Sequence, residues 1–349
     1  MTARALRPAA GLLLLGAILL IGWWLFAASP SGAMHGYLAA WLVAAALPLG
    51  ALPCVLLFDL VGIPIGTSGL AIELRRMLWL MPLAGLLLIP VLAAHGSEFP
   101  HATLPSEFGR WWLAPAPMIV RSVGYFVIWS VFALAFATPP RVADGRRGLA
   151  LAGLALHLPL ITLAAVDWAM ATEAGWSSGL FGLLFLSSQM VFALAAAVLL
   201  AGGPWRRAAG SAAATLLLIA SAVWLFLQFM QFLVMWSADR PDQVIWYIHR
   251  DADAGRTIEW IGFIGGFVLP GALLAALGWH RRPGVTAGVA ALLLIVHGLE
   301  MFWLVTPSYR HHFGLGGTEI CGSFGLVAVL LACAPLRDAL RPRQAAVDA

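Results

Sequence analysis

Long apolar stretches of Ala, Leu, Val, Ile and Phe divide this chain, and short clusters rich in Arg, Pro, Gly or acidic residues separate them. Ten stretches approach the roughly 20 residues that a helix needs to cross a bilayer. They lie at 11–28, 36–58, 77–95, 116–138, 148–168, 178–202, 211–237, 258–279, 284–305 and 316–336. The pattern predicts an all-α integral membrane protein of about ten transmembrane helices, with residues 1–349 forming a single transmembrane domain. The even count divides into two four-helix bundles, 36–168 and 178–305, flanked by 11–28 and 316–336, although no strong repeat relates the halves. Arg4 and Arg7 before the first stretch, and Ser31–Ala33 after it, imitate a secretory leader. Its apolar core is longer than a leader's, and Trp23-Trp24 look like an interface anchor, so a retained helix is expected.

Composition supports that class. Of 349 residues, 62% are hydrophobic and 10% charged, against about 25% charged in a soluble domain. All 20 basic residues are Arg, which with the abundance of Ala indicates a GC-rich bacterial genome. With the N-terminus inside, fourteen arginines fall on the cytoplasmic side: 4, 7, 75, 76, 141, 146, 147, 206, 207, 281, 282, 337, 341 and 343. Six fall outside: 110, 121, 240, 250, 256 and 310. This positive-inside bias predicts a bacterial inner-membrane protein with both termini cytoplasmic. The net charge of +4 therefore reports topology, not a nucleic-acid partner. The external loops 96–115 and 238–257 are the natural docking surface for a periplasmic partner.

Redox and nucleotide motifs are missing. Cys54, Cys321 and Cys333 sit in apolar runs, with no CxxC and hence no CxxCH for covalent haem, and no P-loop occurs. GLGG at 314–317 reads as a loop. Only His157 and His297 lie well inside apolar segments; His35, His95, His101, His249, His280, His311 and His312 lie at ends or in loops. A single pair in different bundles is thin support for a membrane haem. Each of the two reads better as a hydrogen-bonded structural histidine, and no cofactor is expected in the chain itself.

Polar residues inside helices carry what chemistry there is, since a charge in lipid must face the bundle interior or water. Asp59 ends the second helix near Arg75 and Arg76. Arg121 and Tyr125 share a face of the fourth by their four-residue spacing. Gln228 and Gln231 point together from the seventh helix, as do His297 and Glu300 from the ninth. The segment AAVDWAMATEAGW (164–176) closes the fifth helix with Asp167, Trp168 and Glu173 and no basic residue. Desolvation there disfavours a charged carboxylate unless a cation compensates, and Arg121 is the basic candidate on that side of the bundle. Asp167, Arg121 and Tyr125 are therefore expected to form one polar cluster with Trp168 as its apolar wall. A paired Asp167 would be structural; an unpaired, hydrated one would suit proton release or a quinol hydroxyl.

Several of these stretches together resemble a known family. RWWLAPAPMIVRSVGYFVIW (110–129), AAVDWAMATEAGWSSGLFGLLF (164–185) and QFLVMWSADRPDQVIWYIHR (231–250) are similar to segments of the NrfD-like membrane subunits of alternative complex III, the bacterial quinol:cytochrome c oxidoreductase. WLVAAALPLGALPCVLLFDLVG (41–62), ELRR (73–76) and LEMFWLVTP (299–307) agree with further helices of the second such subunit, the ActF type. The resemblance runs in order over about residues 36 to 335.

It implies a ten-helix fold of two four-helix bundles, and a cofactor-free subunit of an electron-transport complex that conducts protons, contributes to quinone binding or completes the membrane sector. It also implies partners: iron–sulfur and haem c subunits, a sister NrfD-like membrane subunit, and a terminal oxidase as a further associate. Such a subunit is not catalytic alone. The chain departs from the family pattern at Phe58-Asp59, where a His pair is usual, and at Gly175-Trp176-Ser177-Ser178-Gly179, where His-Trp-Tyr-Ser-Thr is usual. Losing these residues calls an inherited proton route into question. Two other readings stay open: a quinone-binding subunit of another NrfD or polysulfide-reductase-type complex, and a stand-alone transporter or channel.

Overall fold

In hydrocarbon a backbone has no water to bond, so each apolar stretch satisfies its own amides as a helix. A computed structural model describes residues 3–27, 29–62, 69–94, 106–138, 146–173, 175–201, 203–238, 240–251, 255–276, 282–310 and 315–332. The expectations placed on Arg141, Arg281, Arg337, Arg341, Arg343, His95, His101, His280, His311, His312, Gly314, Cys333 and the 96–105 part of the external loop lie outside these residues.

The helices are α1 (Ala3–Phe26), α2 (Pro30–Val61), α3 (Gly69–Leu78), α4 (Met81–Leu86), α5 (Ile89–Ala93), α6 (Glu107–Trp112), α7 (Pro115–Phe136) and α8 (Arg147–Trp168). After them come α9 (Phe181–Leu200), α10 (Gly203–Ala238), α11 (Pro241–Asp251), α12 (Gly255–Phe263), α13 (Leu269–Ala275), α14 (Pro283–Arg310) and α15 (Gly317–Ala332). A 3-10 turn, Met170–Thr172, follows α8, and a π-helical stretch, Ile264–Val268, joins α12 to α13. No strand occurs among the described residues. Eight helical stretches there are long and apolar enough to cross a membrane, so the protein is an all-α, multi-pass membrane protein. Two shorter apolar helices, Ala10–Phe26 and Gly317–Ala332, coincide with most of the first and last stretches predicted from hydropathy.

Burial distinguishes two helices from the rest. The apolar window of the α2 stretch is 94% buried and that of α9 78%, whereas those of α7 and α8 are each 33% buried. Helices α2 and α9 lie against each other; α3, α4, α7 and α8 surround α2, while α10 and α14 flank α9. Helices α1 and α15 run side by side, with α15 against α2. At the crossing of α2 and α9, a Cβ on Gly50 would lie 1.9 Å from the backbone oxygen of Gln189, so only glycine permits this approach.

The outer face is apolar. Val120, Val123, Val127 and Val131 are exposed at three- and four-residue spacing along α7, and Ile219, Val223 and Phe226 repeat the pattern on α10. Such stripes match lipid, which offers no hydrophobic force between helices, so polar groups and close packing must hold the interior together.

At one end of the helices Asp59 pairs with buried Arg75, which also donates to the carbonyl of Phe136 at 2.8 Å. Arg76, the neighbouring candidate, turns outward to Glu73. Adjacent residues on a helix diverge by about 100°, so only one of the two arginines reaches Asp59.

Candidate functional site

Helix α8 runs through buried Ala164 and Ala165 before Asp167 and Trp168, so its last turn sits deep among neighbours. Asp167 is fully buried and accepts four hydrogen bonds. Its Oδ1 receives Trp112 Nε1 at 2.9 Å and Arg121 Nη2 at 2.9 Å. Its Oδ2 receives Arg121 Nε at 3.0 Å and the Tyr125 hydroxyl at 2.9 Å. The guanidinium also donates to the Trp112 carbonyl at 2.8 Å and lies over the Trp112 indole, 3.8 Å from its centroid. A carboxylate offers about four lone-pair positions, and here all are taken. Trp168 donates to Ser122 Oγ at 3.0 Å, stacks on Phe126 and meets Trp41 edge-on. Asp167, Arg121 and Tyr125 thus form one cluster walled by Trp168, and the carboxylate is paired instead of hydrated.

A second ion pair lies beside the segment that follows α8. Glu173 meets His249 Nδ1 at 3.0 Å and receives Arg250 Nη1 at 3.3 Å. Arg250 is wholly buried and donates to the carbonyls of Trp246 and Leu304 and to Ser308 Oγ, with its guanidinium 3.9 Å from the Trp246 ring centroid. Burial pulls the Arg250 pKa down to about 10, and the Glu173 carboxylate opposes that pull. The residue therefore stays cationic at neutral pH. Trp176 stacks on Trp246 at 4.8 Å and donates to the Gln243 carbonyl at 3.1 Å. Both pairs share one motif: an arginine lies over a tryptophan and is held by an acid from segment 164–176.

A third cluster lies within the helices. Glu300 on α14 accepts from Trp224 Nε1 at 2.8 Å and Gln228 Nε2 at 2.7 Å through Oε1. Its Oε2 accepts from Ser188 Oγ on α9 and lies 2.8 Å from His297 Nδ1. Glu300 and its neighbour Gln228 line a cavity of about 520 Å³ with Trp224, Tyr247, Glu259 and Trp303. The π-helical stretch follows directly on the lining residue Phe263, and a Cβ on Gly266 would come within 2.8 Å of the Trp224 ring. Widened π turns of this kind recur at functional sites.

Two expectations are corrected. Gln228 and Gln231 do not act together: Gln228 serves Glu300, whereas buried Gln231 accepts from Ser178 Oγ at 3.2 Å. The two amides lie about one turn apart along α10, and each meets a different part of the chain: Glu300 on α14 for Gln228, Ser178 before α9 for Gln231. His157 is not a hydrogen-bonded structural histidine: it is buried, 5.7 Å from the Trp129 ring, and neither ring nitrogen has a partner. Its surroundings on α8 are apolar side chains. His297 does have partners, in Ser188 and Glu300.

Trp112, Trp246, Arg250, Ser188, Trp224 and Glu259 complete these clusters and were not among the candidates. The adjoining tryptophan and arginine in RWW (110–112) and the WYIHR run (246–250) were the available signals. Among the described residues no three His, Cys, Asp or Glu side chains converge to hold a metal ion. No known family model and no curated protein matches the chain.

Proposed function

We propose that the chain is a cofactor-free membrane subunit of a bacterial quinol:cytochrome c oxidoreductase of the alternative complex III kind, similar to its ActF-type NrfD-like subunit. In this reading ten helices cross the inner membrane. Residues 36–168 and 178–305 form two four-helix bundles, 11–28 and 316–336 flank them, and both termini are cytoplasmic. The chain assembles with iron–sulfur and haem c subunits and a sister NrfD-like subunit, and a terminal oxidase is a further associate.

One observation carries the reading. The three segments on which the resemblance rests, 110–129, 164–185 and 231–250, meet in space: Asp167 joins the first two through Arg121 and Trp112, and Glu173 and Trp176 join the second to the third through Arg250 and Gln243. That these segments pack together at one end of the helices supports reading them as parts of one surface. The arginine bias supports an outside position for this end, where periplasmic redox subunits would dock. The neighbour relations of α2 and α9 also accord with a four-plus-four division.

Deletion of the gene tests the reading. Membranes lacking the chain should lose quinol-dependent reduction of cytochrome c and recover it on complementation; unchanged reduction would reject the proposal.

A further inference from the structure

We infer that the cavity between α10, α12 and α14 binds the head group of a membrane quinol. This deepens the reading above, on which the choice of a quinol among lipid-soluble ligands rests. The cavity measures about 520 Å³, within the range of small-molecule sites. Its mouth is lined by Phe229, Phe232 and Trp260, all exposed on the apolar exterior. A ligand must therefore arrive through the bilayer, and a prenyl tail would leave between these rings.

Its interior is not that of a groove for an acyl chain. Gln228 gives one amide hydrogen to Glu300, and its carbonyl oxygen accepts no hydrogen bond from a described residue. The half-buried Glu259 carboxylate has Arg256 and Arg250 within electrostatic reach but makes no hydrogen bond with the described residues. Trp303 is only 5% exposed, and its indole N–H has no acceptor. Hydrogen-bonding capacity left unused beside lipid is costly, and an acyl chain would satisfy none of it. A flat ring with oxygens at opposite ends matches this inventory: quinol hydroxyls donate to Gln228 Oε1 and to the Glu259 carboxylate, between the aromatic walls of Trp224 and Tyr247. Glu300 acts as a positioning residue. Its four hydrogen-bonding neighbours leave no vacant lone pair, so it orients Gln228 instead of meeting the ligand.

The test is photolabelling of native membranes with an azido derivative of decylubiquinol, followed by isolation of the tagged chain and peptide mapping. Labelling should concentrate in residues 224–232 and 258–263, and unmodified decylubiquinol should compete it away. Gln228→Leu, which keeps size and removes the acceptor, should weaken competition about tenfold. Leu299→Trp, which fills the cavity, should abolish labelling. Label spread along all the helices, or label in these peptides that only an acyl-chain diazirine lipid displaces, would overturn the inference. The subunit composition of the isolated complex is a separate readout. A chain labelled here but isolated without redox subunits would refute the proposed complex and not this site.

Discussion

Arg121 grips Asp167 with two nitrogens, Nε at 3.0 Å and Nη2 at 2.9 Å, one to each carboxylate oxygen. This fork geometry fixes the end of α8 against α7, and Lys could not reproduce it. The pair lies where the chain leaves the helices, so it holds that end of the bundle in one shape.

The first prediction follows from burial. Arg121→Gln leaves the Asp167 carboxylate without its cation and should cost about 3 kcal/mol. The change should appear as a lower melting temperature in detergent and poor accumulation in membranes. Combining it with Asp167→Asn should recover part of the loss. Asp167→Asn alone should leave turnover per assembled complex unchanged; a fall in turnover with assembly intact would give Asp167 a proton-handling role.

A contrast between two other ion pairs gives the second prediction. Glu173→Gln strips the counter-charge from wholly buried Arg250 and should destabilise strongly, whereas Asp251→Asn breaks an exposed pair with Arg256 and should change little. The Arg256 guanidinium holds the Asp251 carboxyl below its usual range, so that pair's small contribution is lost as pH falls through the acidic range. Arg250 acts in the same direction but in the alkaline range. Its folded pKa, about 10, is below the unfolded value, so the folded chain releases its proton first and stability rises with pH above about 10. Between neutrality and that point Arg250 should add no slope, which thermal melts across a pH series will read.

Within the third cluster the acceptor should matter more than any one donor. Ser188→Ala removes the hydroxyl that reaches Glu300 and His297 and should cost about 0.6 kcal/mol per contact, the average for polar contacts in membrane bundles. Glu300→Leu leaves four side chains without their shared acceptor and should cost several times more. Equal effects on unfolding would contradict this ordering.

At the crossing of α2 and α9 the contact is backbone to backbone. Gly50→Ala places a methyl where the Gln189 carbonyl stands, so the helices must separate. A fluorescent C-terminal fusion should show sharply reduced folded protein; normal levels would mean the crossing can open at little cost.

How much of this was legible beforehand depended on range. Arg121, Tyr125 and Asp167 could be placed together because a four-residue spacing and alternating crossings put them at one depth on one side. Glu300 and His297 were similarly local. The Glu173–Arg250 pair joins residues 77 apart in sequence, and no periodicity shows which of several loops lie together. Trp112 escaped notice because it sits in a short helix outside the apolar stretches. For Arg75 and Arg76 the helix register, invisible in a run of two arginines, decided which faces inward. His157 shows the opposite failure: residue type promised a hydrogen bond that its apolar surroundings do not supply.

Isolation of the native assembly through an affinity tag on this chain tests the central claim most directly. Mass spectrometry and redox difference spectra of the purified material should show a c-type cytochrome, an iron–sulfur subunit and a second NrfD-like chain, with quinol:cytochrome c oxidoreductase activity that disappears when the partners are stripped away. A chain that purifies alone, colourless and fully stable, and moves a solute across liposomes without partners would contradict the account.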